Sequence, residues 1–363
     1  MSAVASTSRP RPISGAIRRL GRALLLALVL CPMPALAAPP VRLPEGRFAT
    51  EYWDLVARLD SGHLLIAQTW LSNLGVAGRS AGALGWLIGP RGSAQRFKRS
   101  EAPGDWLLTD AGRRIDLHSI ALEPAPPTRR FEVGKDDIGV DLELTADAGP
   151  VSSGDVSGHC PFEVLESAAP ATVRLRGASA TPPVATQGRV ALTHRWTTGL
   201  EADCVLRRIE VFVLEPELGL YYSQTQAPDG SLHRWLVARR GTRVVFRGDP
   251  GDGSTLRWNE TEEGFGAPLS LRFDVAGVDA HVRFTTELAS VDPTDRLPRP
   301  VQWLVATRMR PRLSWLRAPF EITLDTEGGK RRSFAGEAIA KVSYMNPLPG
   351  GRLPSRVAVH SEE

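Results

Sequence analysis

The sequence predicts an all-β protein, and three observations support this fold class. Its 34 Gly and 29 Pro are scattered between short apolar runs, which favours many turns and therefore many strands. Apolar residues alternate with period two across residues 207–214, 218–225 and 233–240, as in half-buried strands. No run combines helical spacing with helical length, so no helix is predicted. We therefore expect antiparallel β-barrels or β-sandwiches.

The alternating runs place the strands in chain order. In the first half we expect strands at 52–59, 64–70, 84–88, 95–98, 106–108, 115–122, 129–133 and 140–144, with a further pair near Val164 and 173–176. In the second half we expect a meander within 186–246, followed by strands at 255–258, 269–275, 280–284, 301–307, 320–324 and 338–344.

The second half repeats the first. Residues 54 and 68 match residues 156 positions later, and residues 86 and 97 match residues 149 positions later, because the first half has a longer loop after Thr69. Chance similarity between two hairpins is the alternative. The matched pairs are Asp54 with Glu210, Gln68 with Gln224, Trp86 with Trp235, and Phe97 with Phe246.

The repeat and the local composition divide the chain into five parts. Residues 1–38 read as a signal peptide, 39–176 as an N-terminal β domain, and 189–346 as a C-terminal β domain. The small, polar and proline-containing residues 177–188 are interpreted as the linker between the domains. Residues 347–363 are predicted to be a disordered tail.

The N-terminal segment predicts export to the periplasm or the medium. Arg18, Arg19 and Arg22 precede an apolar run at 23–30, and an Ala-Leu-Ala motif places cleavage after Ala37. The apolar run is too short to span a membrane, so we expect no transmembrane anchor after cleavage. The adjacent arginines leave twin-arginine export as an alternative to the general route.

Export leaves two cysteines in the mature protein. Cys31 is removed with the signal, and the bulky residue before it argues against lipid attachment there. Cys160 and Cys204 can form a disulfide in an oxidising compartment, worth about 4 kcal/mol in the chain-entropy model. The alternative is that both are small buried apolar side chains that do not meet.

Charge and histidine spacing argue against several classes of partner. The net charge is +4, but the arginines are interpreted as dispersed among Asp and Glu, so no nucleic-acid partner is expected. The seven histidines form no H-E-x-x-H motif, and no metal or other cofactor is expected. Residues 248–253 are interpreted as a turn instead of a calcium loop.

Two short motifs resemble a known family. Glu51-Tyr-Trp53 opens the first unit, and a Gly188-Arg-Val-Ala-Leu-Thr-His194-Arg-Trp196 segment opens the second. These motifs and the tandem arrangement resemble the AttH/CrtC-like group, which includes carotenoid hydratases and lipocalin-like cyclases. The resemblance implies two lipocalin-like domains and a cavity for a hydrophobic ligand. Many relatives have an acidic residue immediately before the histidine, whereas this chain has Thr193.

The histidine of that motif is the best candidate for chemistry. His194 and Trp196 alternate on a strand, so they face the same side. An imidazole with Asp203 or Glu210 nearby is suited to acid–base catalysis on a double bond or an ester. The alternative is a structural histidine with satisfied hydrogen bonds. A hydratase, isomerase or cyclase is therefore the enzymatic hypothesis.

Asp54 and Glu210 occupy equivalent repeat positions on the polar faces of their strands. If the apolar faces fill a core, we expect the acids to face solvent or cations such as Arg58 and Arg208. If they instead line a polar lumen, they are candidate general acids.

The aromatic residues favour a hydrophobic small-molecule ligand, because such pockets are mostly apolar with few polar anchors. A third hypothesis is a serine hydrolase, because Ser80 lies in a G-x-S-x-G motif, although no helix is predicted after it. Our leading hypothesis is a protein that binds a lipid, isoprenoid or acyl chain at or between its two domains. The predicted ligand contacts are Trp53, Trp70, Trp196, Tyr221, Tyr222 and Trp235.

Overall fold

A computed structural model describes most of the chain. The described residues are 41–42, 45–73, 78–145, 151–156, 160–177, 182–259, 265–275, 277–293, 310–325 and 330–346. They form strands and short 3-10 turns and contain no α-helix, which confirms the all-β prediction. The signal segment, the predicted strand 301–307 and the tail lie outside the described residues.

The first sheet is antiparallel throughout. Its strand order is β4-β3-β2-β1-β12-β11-β9-β8-β7-β6-β5, and β10 pairs with β11 beside this path. The strands are β1 (Thr50–Leu59), β2 (Leu64–Asn73), β3 (Arg79–Ile88), β4 (Ala94–Glu101), β5 (Leu107–Thr109), β6 (Arg114–Asp116), β7 (Ile120–Glu123), β8 (Thr128–Lys135), β9 (Ile138–Thr145), β10 (Ser152–Val156), β11 (Cys160–Gly177) and β12 (Val184–Trp196).

The second sheet repeats this order as β16-β15-β14-β13-β22-β21-β19-β18-β17, with β20 pairing beside β21. Each matched residue pair of the sequence repeat lies on strands at the same place in the two orders, so the tandem arrangement is confirmed. The strands are β13 (Arg207–Leu214), β14 (Leu218–Gln226), β15 (Leu232–Arg240), β16 (Arg243–Gly248), β17 (Ser254–Asn259), β18 (Ala267–Val275), β19 (Val278–Arg283), β20 (Glu287–Val291), β21 (Arg312–Asp325) and β22 (Arg331–Tyr344).

The predicted linker requires correction. Residues 184–196 form β12, which pairs with β1 from Gly188 opposite Leu59 to Trp196 opposite Glu51. The segment therefore completes the first sheet, and the chain crosses to the second sheet through residues 197–206. Residues 184–187 extend beyond the end of β1 and are largely exposed, which explains their linker-like composition.

A second correction concerns β11, which was expected as two separate strands. It is one strand from Cys160 to Gly177, with register shifts between Val164 and Glu166 and between Ser167 and Ala169. Each bulge inserts an extra residue, so the period-two alternation changes phase within the strand. Because of this phase change, the apolar pattern of the single strand β11 resembles the pattern of two separate strands.

The two sheets are stabilised by three apolar layers, namely one core for each sheet and one layer between the sheets. On β1, Trp53 and Leu55 point into the core of the first sheet, whereas Val56 points the other way, toward the second sheet. On β13, Val211 points into the core of the second sheet and Phe212 toward the first sheet. We call the layer between the two sheets the seam. Strands β1 and β13 are buried on both faces, and their sequences are therefore nearly continuous apolar runs.

A disulfide fastens the segment that joins the sheets. Cys160 at the start of β11 is bonded to Cys204, 44 residues later and directly after the 3-10 turn Glu201–Asp203. Val205 and Met345 pack around the disulfide. Of the two alternatives for these cysteines, the structure contains the disulfide.

Candidate functional site

Polar residues from both sheets meet in the seam, where they form what we call the seam cluster. The cluster residues on β1 and β13 lie an even number of positions from Val56 or Phe212, so their side chains share the strand faces of these two residues. The other cluster residues lie on strands that pair with β1 or β13 and have the same orientation. All of them are buried. The members are Tyr52, Asp54, Gln68, Arg195, Arg208, Glu210, Tyr221 and Lys341.

Two acid–cation pairs cross between the sheets in a reciprocal arrangement. Asp54 on β1 lies 2.6 Å from the Nζ of Lys341 on β22. Glu210 on β13 forms an ion pair with Arg195 on β12. In each pair the acid comes from the first strand of one repeat and the cation from the last strand of the other. Gln68 donates a hydrogen bond of 2.9 Å to Asp54, and Lys341 lies 3.8 Å from Glu210, so the pairs form one network.

Two tyrosines extend the network. The hydroxyl of Tyr221 accepts a hydrogen bond from Arg195 and donates one of 2.9 Å to Glu210. The hydroxyl of Tyr52 accepts one of 2.8 Å from Arg208 and donates one of 2.6 Å to Glu201. Burial raises the pKa of both phenols, so both remain protonated donors at neutral pH.

The two acids have opposite pKa shifts. Burial raises the pKa of Asp54, and the charge of Glu210 adds to this, although Lys341 opposes it. Burial also acts on Glu210, but the cations Arg195 and Lys341 outweigh it and lower its pKa to about 2. Asp54 therefore binds a proton more tightly than a free aspartic acid does, whereas Glu210 binds a proton less tightly than a free glutamic acid does. Two acids separated in this way are suited to donate and to accept a proton.

Three buried polar atoms of this region have no hydrogen-bond partner among the described residues. They are the Nε of Arg195, the Oε2 of Glu210 and the Oγ1 of Thr193. Thr193 lies directly across from Asp54 on the neighbouring strand, so its side chain is on the seam face of β12, as is that of Arg195. Buried polar atoms in native proteins are almost always paired with protein, water or ligand. A water molecule or a polar group of a ligand would complete the hydrogen bonding of these three atoms.

Aromatic side chains surround the cluster. Trp86 and Trp315 contact each other across the seam with ring centroids 5.0 Å apart. Phe162 packs edge-on against Trp235 at 5.9 Å, and the guanidinium of Arg195 lies 5.0 Å from the Phe162 ring. The seam thus combines a small polar centre with apolar walls, as small-molecule sites do.

His194 lies on the opposite face of β12 from the seam cluster. Its Nε2 is 2.8 Å from Glu51 and its Nδ1 is 3.1 Å from Glu163. Its ring stacks on Trp53 at a centroid distance of 4.8 Å. Burial opposes the charged form, but the hydrogen bonds to Glu163 and Glu51 outweigh burial and raise the pKa of His194. An imidazolium that donates both protons to carboxylates has no free lone pair, so it is held as a structural cation.

The predicted catalytic group is therefore not assembled. Glu210 faces the seam, whereas His194 faces the first core, and Asp203 is exposed on a 3-10 turn. The partners that sequence reasoning missed are Glu51 and Glu163. Glu51 stood in the family-like motif, but Glu163 becomes a neighbour of His194 only through the pairing of β11 with β12.

The equivalent acids also have other partners than those expected. Asp54 and Glu210 face neither solvent nor an open lumen. Arg58 pairs with Glu215, and Arg208 hydrogen-bonds Tyr52, so neither arginine is the main partner of the two acids.

The six predicted ligand contacts do not line one pocket. Tyr221, Trp70 and Trp235 belong to the seam. Trp53 is packed in the first core and Tyr222 in the second. Trp196 lies between the ring of His194 and the guanidinium of Arg42, which is 3.8 Å from its centroid.

Ser80 does not form a nucleophile elbow. It lies on β3, opposite Ser72 of β2 in an antiparallel pair, and no helix follows. Within the described part of the chain, no histidine hydrogen-bonds Ser80, and no group of acidic, histidine or cysteine side chains is arranged to hold a metal ion. The same part contains no helix with the length and hydropathy of a membrane span.

Comparisons with known proteins agree with this fold. No family model and no curated protein matches the chain. A provisionally assigned AttH from Nitrosomonas europaea matches with a TM-score of 0.57 at 12% identity, covering 86% of this chain and 98% of that one. CghA, solved with Sch210972, matches with a TM-score of 0.54 at 12% identity, covering 83% and 89%. Kievitone hydratase from Nectria haematococca matches with a TM-score of 0.53 at 10% identity, covering 86% and 95%. The chain therefore has the tandem lipocalin-like fold of AttH/CrtC-like proteins, as the sequence motifs predicted.

Proposed function

We propose that this protein binds a hydrophobic small molecule in the seam and holds a polar group of that molecule at the seam cluster. The observation that carries the proposal is the set of three buried atoms on Arg195, Glu210 and Thr193 that lack a hydrogen-bond partner. An unpaired buried polar atom costs about 1–3 kcal/mol, so a ligand that pairs all three gains that energy.

The three atoms specify the chemistry of the polar group. The Nε of Arg195 donates, the Oε2 of Glu210 accepts, and the hydroxyl of Thr193 does either. A hydroxyl group, which both donates and accepts, is complementary to all three. The tryptophans and Phe162 around the cluster supply the surface for an apolar body. The ligand class is therefore a lipid, isoprenoid or acyl-chain molecule with a hydroxyl group. The solved complex of CghA with Sch210972 supports the idea that this fold accommodates small molecules.

The first experiment asks whether a ligand is present. The gently purified protein is analysed by native mass spectrometry, and its organic extract by liquid chromatography and mass spectrometry. A bound mass that is lost on denaturation, and that contains a hydroxyl group, is expected. An empty protein that also shows no fluorescence change with hydroxylated isoprenoids or fatty acids would refute the proposal.

A pair of isosteric variants locates the site. Thr193→Val removes one unpaired hydroxyl, so we expect unchanged or increased stability without ligand and an affinity about five- to tenfold weaker. Thr69→Val is the matched control, because Thr69 is equally buried but lies on the face of β2 that points into the first core. Equal affinity losses in both variants would exclude the seam.

A catalytic role is the second candidate, and the opposite pKa shifts of Asp54 and Glu210 favour it. A protonated Asp54 is suited to protonate a double bond, and the ionised Glu210 is suited to stabilise the resulting cation, as hydratase, isomerase or cyclase chemistry requires. Asp54→Asn keeps the size of the side chain and removes the acid. If the protein is an enzyme, this variant retains ligand binding and loses turnover. If it is a carrier, affinity alone changes.

Export is part of the proposal. The signal-like segment 1–38 supports it, and the disulfide between Cys160 and Cys204 is of the kind that persists in oxidising compartments. N-terminal sequencing of the protein from a periplasmic fraction is expected to begin at Ala38. A protein that retains Met1 and stays with the cytosolic fraction would contradict export.

A further inference from the structure

The edge strands of the two sheets concentrate positive charge. Residues 232–248, which form the β15–β16 hairpin, contain five arginines and no Asp or Glu. We call this element the basic hairpin. Its repeat counterpart, residues 79–101 of β3 and β4, contains five cations and one acid, Glu101, at its last position. The whole chain is almost balanced, with 44 basic and 40 acidic residues, so the even dispersal of arginine assumed from the sequence is wrong for these two hairpins.

The basic hairpin presents its charge to solvent. Arg240, Arg243 and Arg247 are exposed, and Arg240 lies directly opposite Arg243 across the two strands. Like charges in directly opposite positions destabilise a strand pair. Val244, which lies between Arg243 and Arg247 on β16, is 40% exposed. The hairpin therefore offers cations and an apolar side chain at the free edge of the sheet.

Protection of a sheet edge does not account for this composition. Charged side chains on an edge strand prevent pairing with other chains, and lysine is the residue most used for that purpose, whereas the basic hairpin contains arginine and no lysine. The basic hairpin has five arginines and no acid, and its counterpart has five cations and one acid, so positive charge predominates on both edges and indicates an anionic partner. Nucleic acid is disfavoured because the aromatic residues of the hairpin are turned inward: Trp235 packs in the seam and Phe246 against the second core.

We propose that the basic hairpin docks on an anionic phospholipid bilayer. Arginines beside an exposed apolar residue match a surface that carries phosphate groups above hydrocarbon. The counterpart hairpin of the first sheet adds Arg91 and Arg96, which are also exposed. This inference goes beyond ligand binding in the seam and does not depend on it.

The test is flotation of the full-length protein with vesicles of phosphatidylcholine alone or mixed with phosphatidylglycerol. We expect binding to the mixed vesicles only, and binding that weakens as salt is raised. The variant Arg240→Gln/Arg243→Gln/Arg247→Gln should bind the mixed vesicles on the order of 100-fold more weakly, at about fivefold per arginine.

A matched variant removes the same net charge elsewhere. Arg174→Gln/Arg176→Gln/Arg272→Gln changes three exposed arginines outside both hairpins and is expected to bind like the unchanged protein. It also retains any contribution of the N-terminal segment. Absence of binding to the mixed vesicles, or equal losses in the two triple variants, would overturn the proposal. So would tighter binding to duplex DNA than to vesicles at the same salt concentration.

Discussion

Replacement of Lys341 by methionine is the sharpest test of the seam cluster. Lys341 is 1% exposed and is the closest cation to Asp54, at 2.6 Å, while it also lies 3.8 Å from Glu210. Methionine is close to lysine in size but carries no charge. In the variant Asp54 therefore remains buried with Gln68 as its nearest hydrogen-bond donor.

The magnitude follows from the burial of the pair. Removal of one partner from a buried ion pair costs about 3–5 kcal/mol, because the remaining charge is neither solvated nor paired. The second variant, Lys341→Met/Asp54→Asn, removes both charges and keeps the hydrogen bond from Gln68. It should recover most of the loss, since replacement of a whole buried pair by neutral groups is often nearly neutral.

The assay is equilibrium unfolding in urea with the disulfide intact, followed by far-ultraviolet circular dichroism and by tryptophan fluorescence. Arg331→Met is the matched control, because Arg331 pairs with Asp325 at 3.1 Å with side chains that are 69% and 49% exposed. An exposed pair of this kind contributes about 0–1 kcal/mol. We expect the Lys341 variant to lose several times more stability than the control.

The pH dependence supplies an independent check. Without Lys341 the pKa of Asp54, already raised by burial, rises further. The folded protein then takes up a proton at a higher pH than the unfolded chain does, so the loss should be smaller at about pH 5 than at about pH 8. A loss no larger than that of Arg331→Met, or no recovery in the double variant, would refute the role given to this pair.

Three further predictions concern other parts of the fold. His194→Gln should lower the free energy of unfolding most at pH values below the usual histidine pKa. This charge-dependent loss should disappear as the pH rises through the raised pKa of His194 in the folded state. Equilibrium unfolding at several pH values measures it, and a loss that does not depend on pH would contradict a buried imidazolium. Cys160→Ser/Cys204→Ser should lower the free energy of unfolding by about 4 kcal/mol in the chain-entropy model for a 44-residue separation, and reduction of the unchanged protein should match it. Gly219→Ala should be strongly destabilising in thermal unfolding, because its Cβ would lie 2.1 Å from the backbone oxygen of Ser167 across the seam; an unchanged melting temperature would exclude that close approach.

Much of the fold was predictable because its signals are local. Period-two alternation located most strands, and the spacing of Trp86 and Trp235 revealed the repeat. The exceptions have physical causes. The bulges of β11 shifted the alternation, and β12 extends past β1 with a polar, exposed end that resembles a linker. Of the candidate site, the sequence identified Asp54 and Glu210 as equivalent acids but not the cations that pair with them.

The sequence by itself determined the all-β class, the tandem organisation and, outside the bulged strand β11, which side chains share a strand face, because these depend on neighbours a few positions apart. Only the tertiary structure decided what each face meets. Lys341 and Asp54 are 287 positions apart, and they pair only because β22 and β1 come from sheets that pack against each other. The same packing separated His194 from Glu210 by placing them on opposite faces. The seam contains a buried network of acids and cations because strands that are distant in the sequence pack together there, away from water.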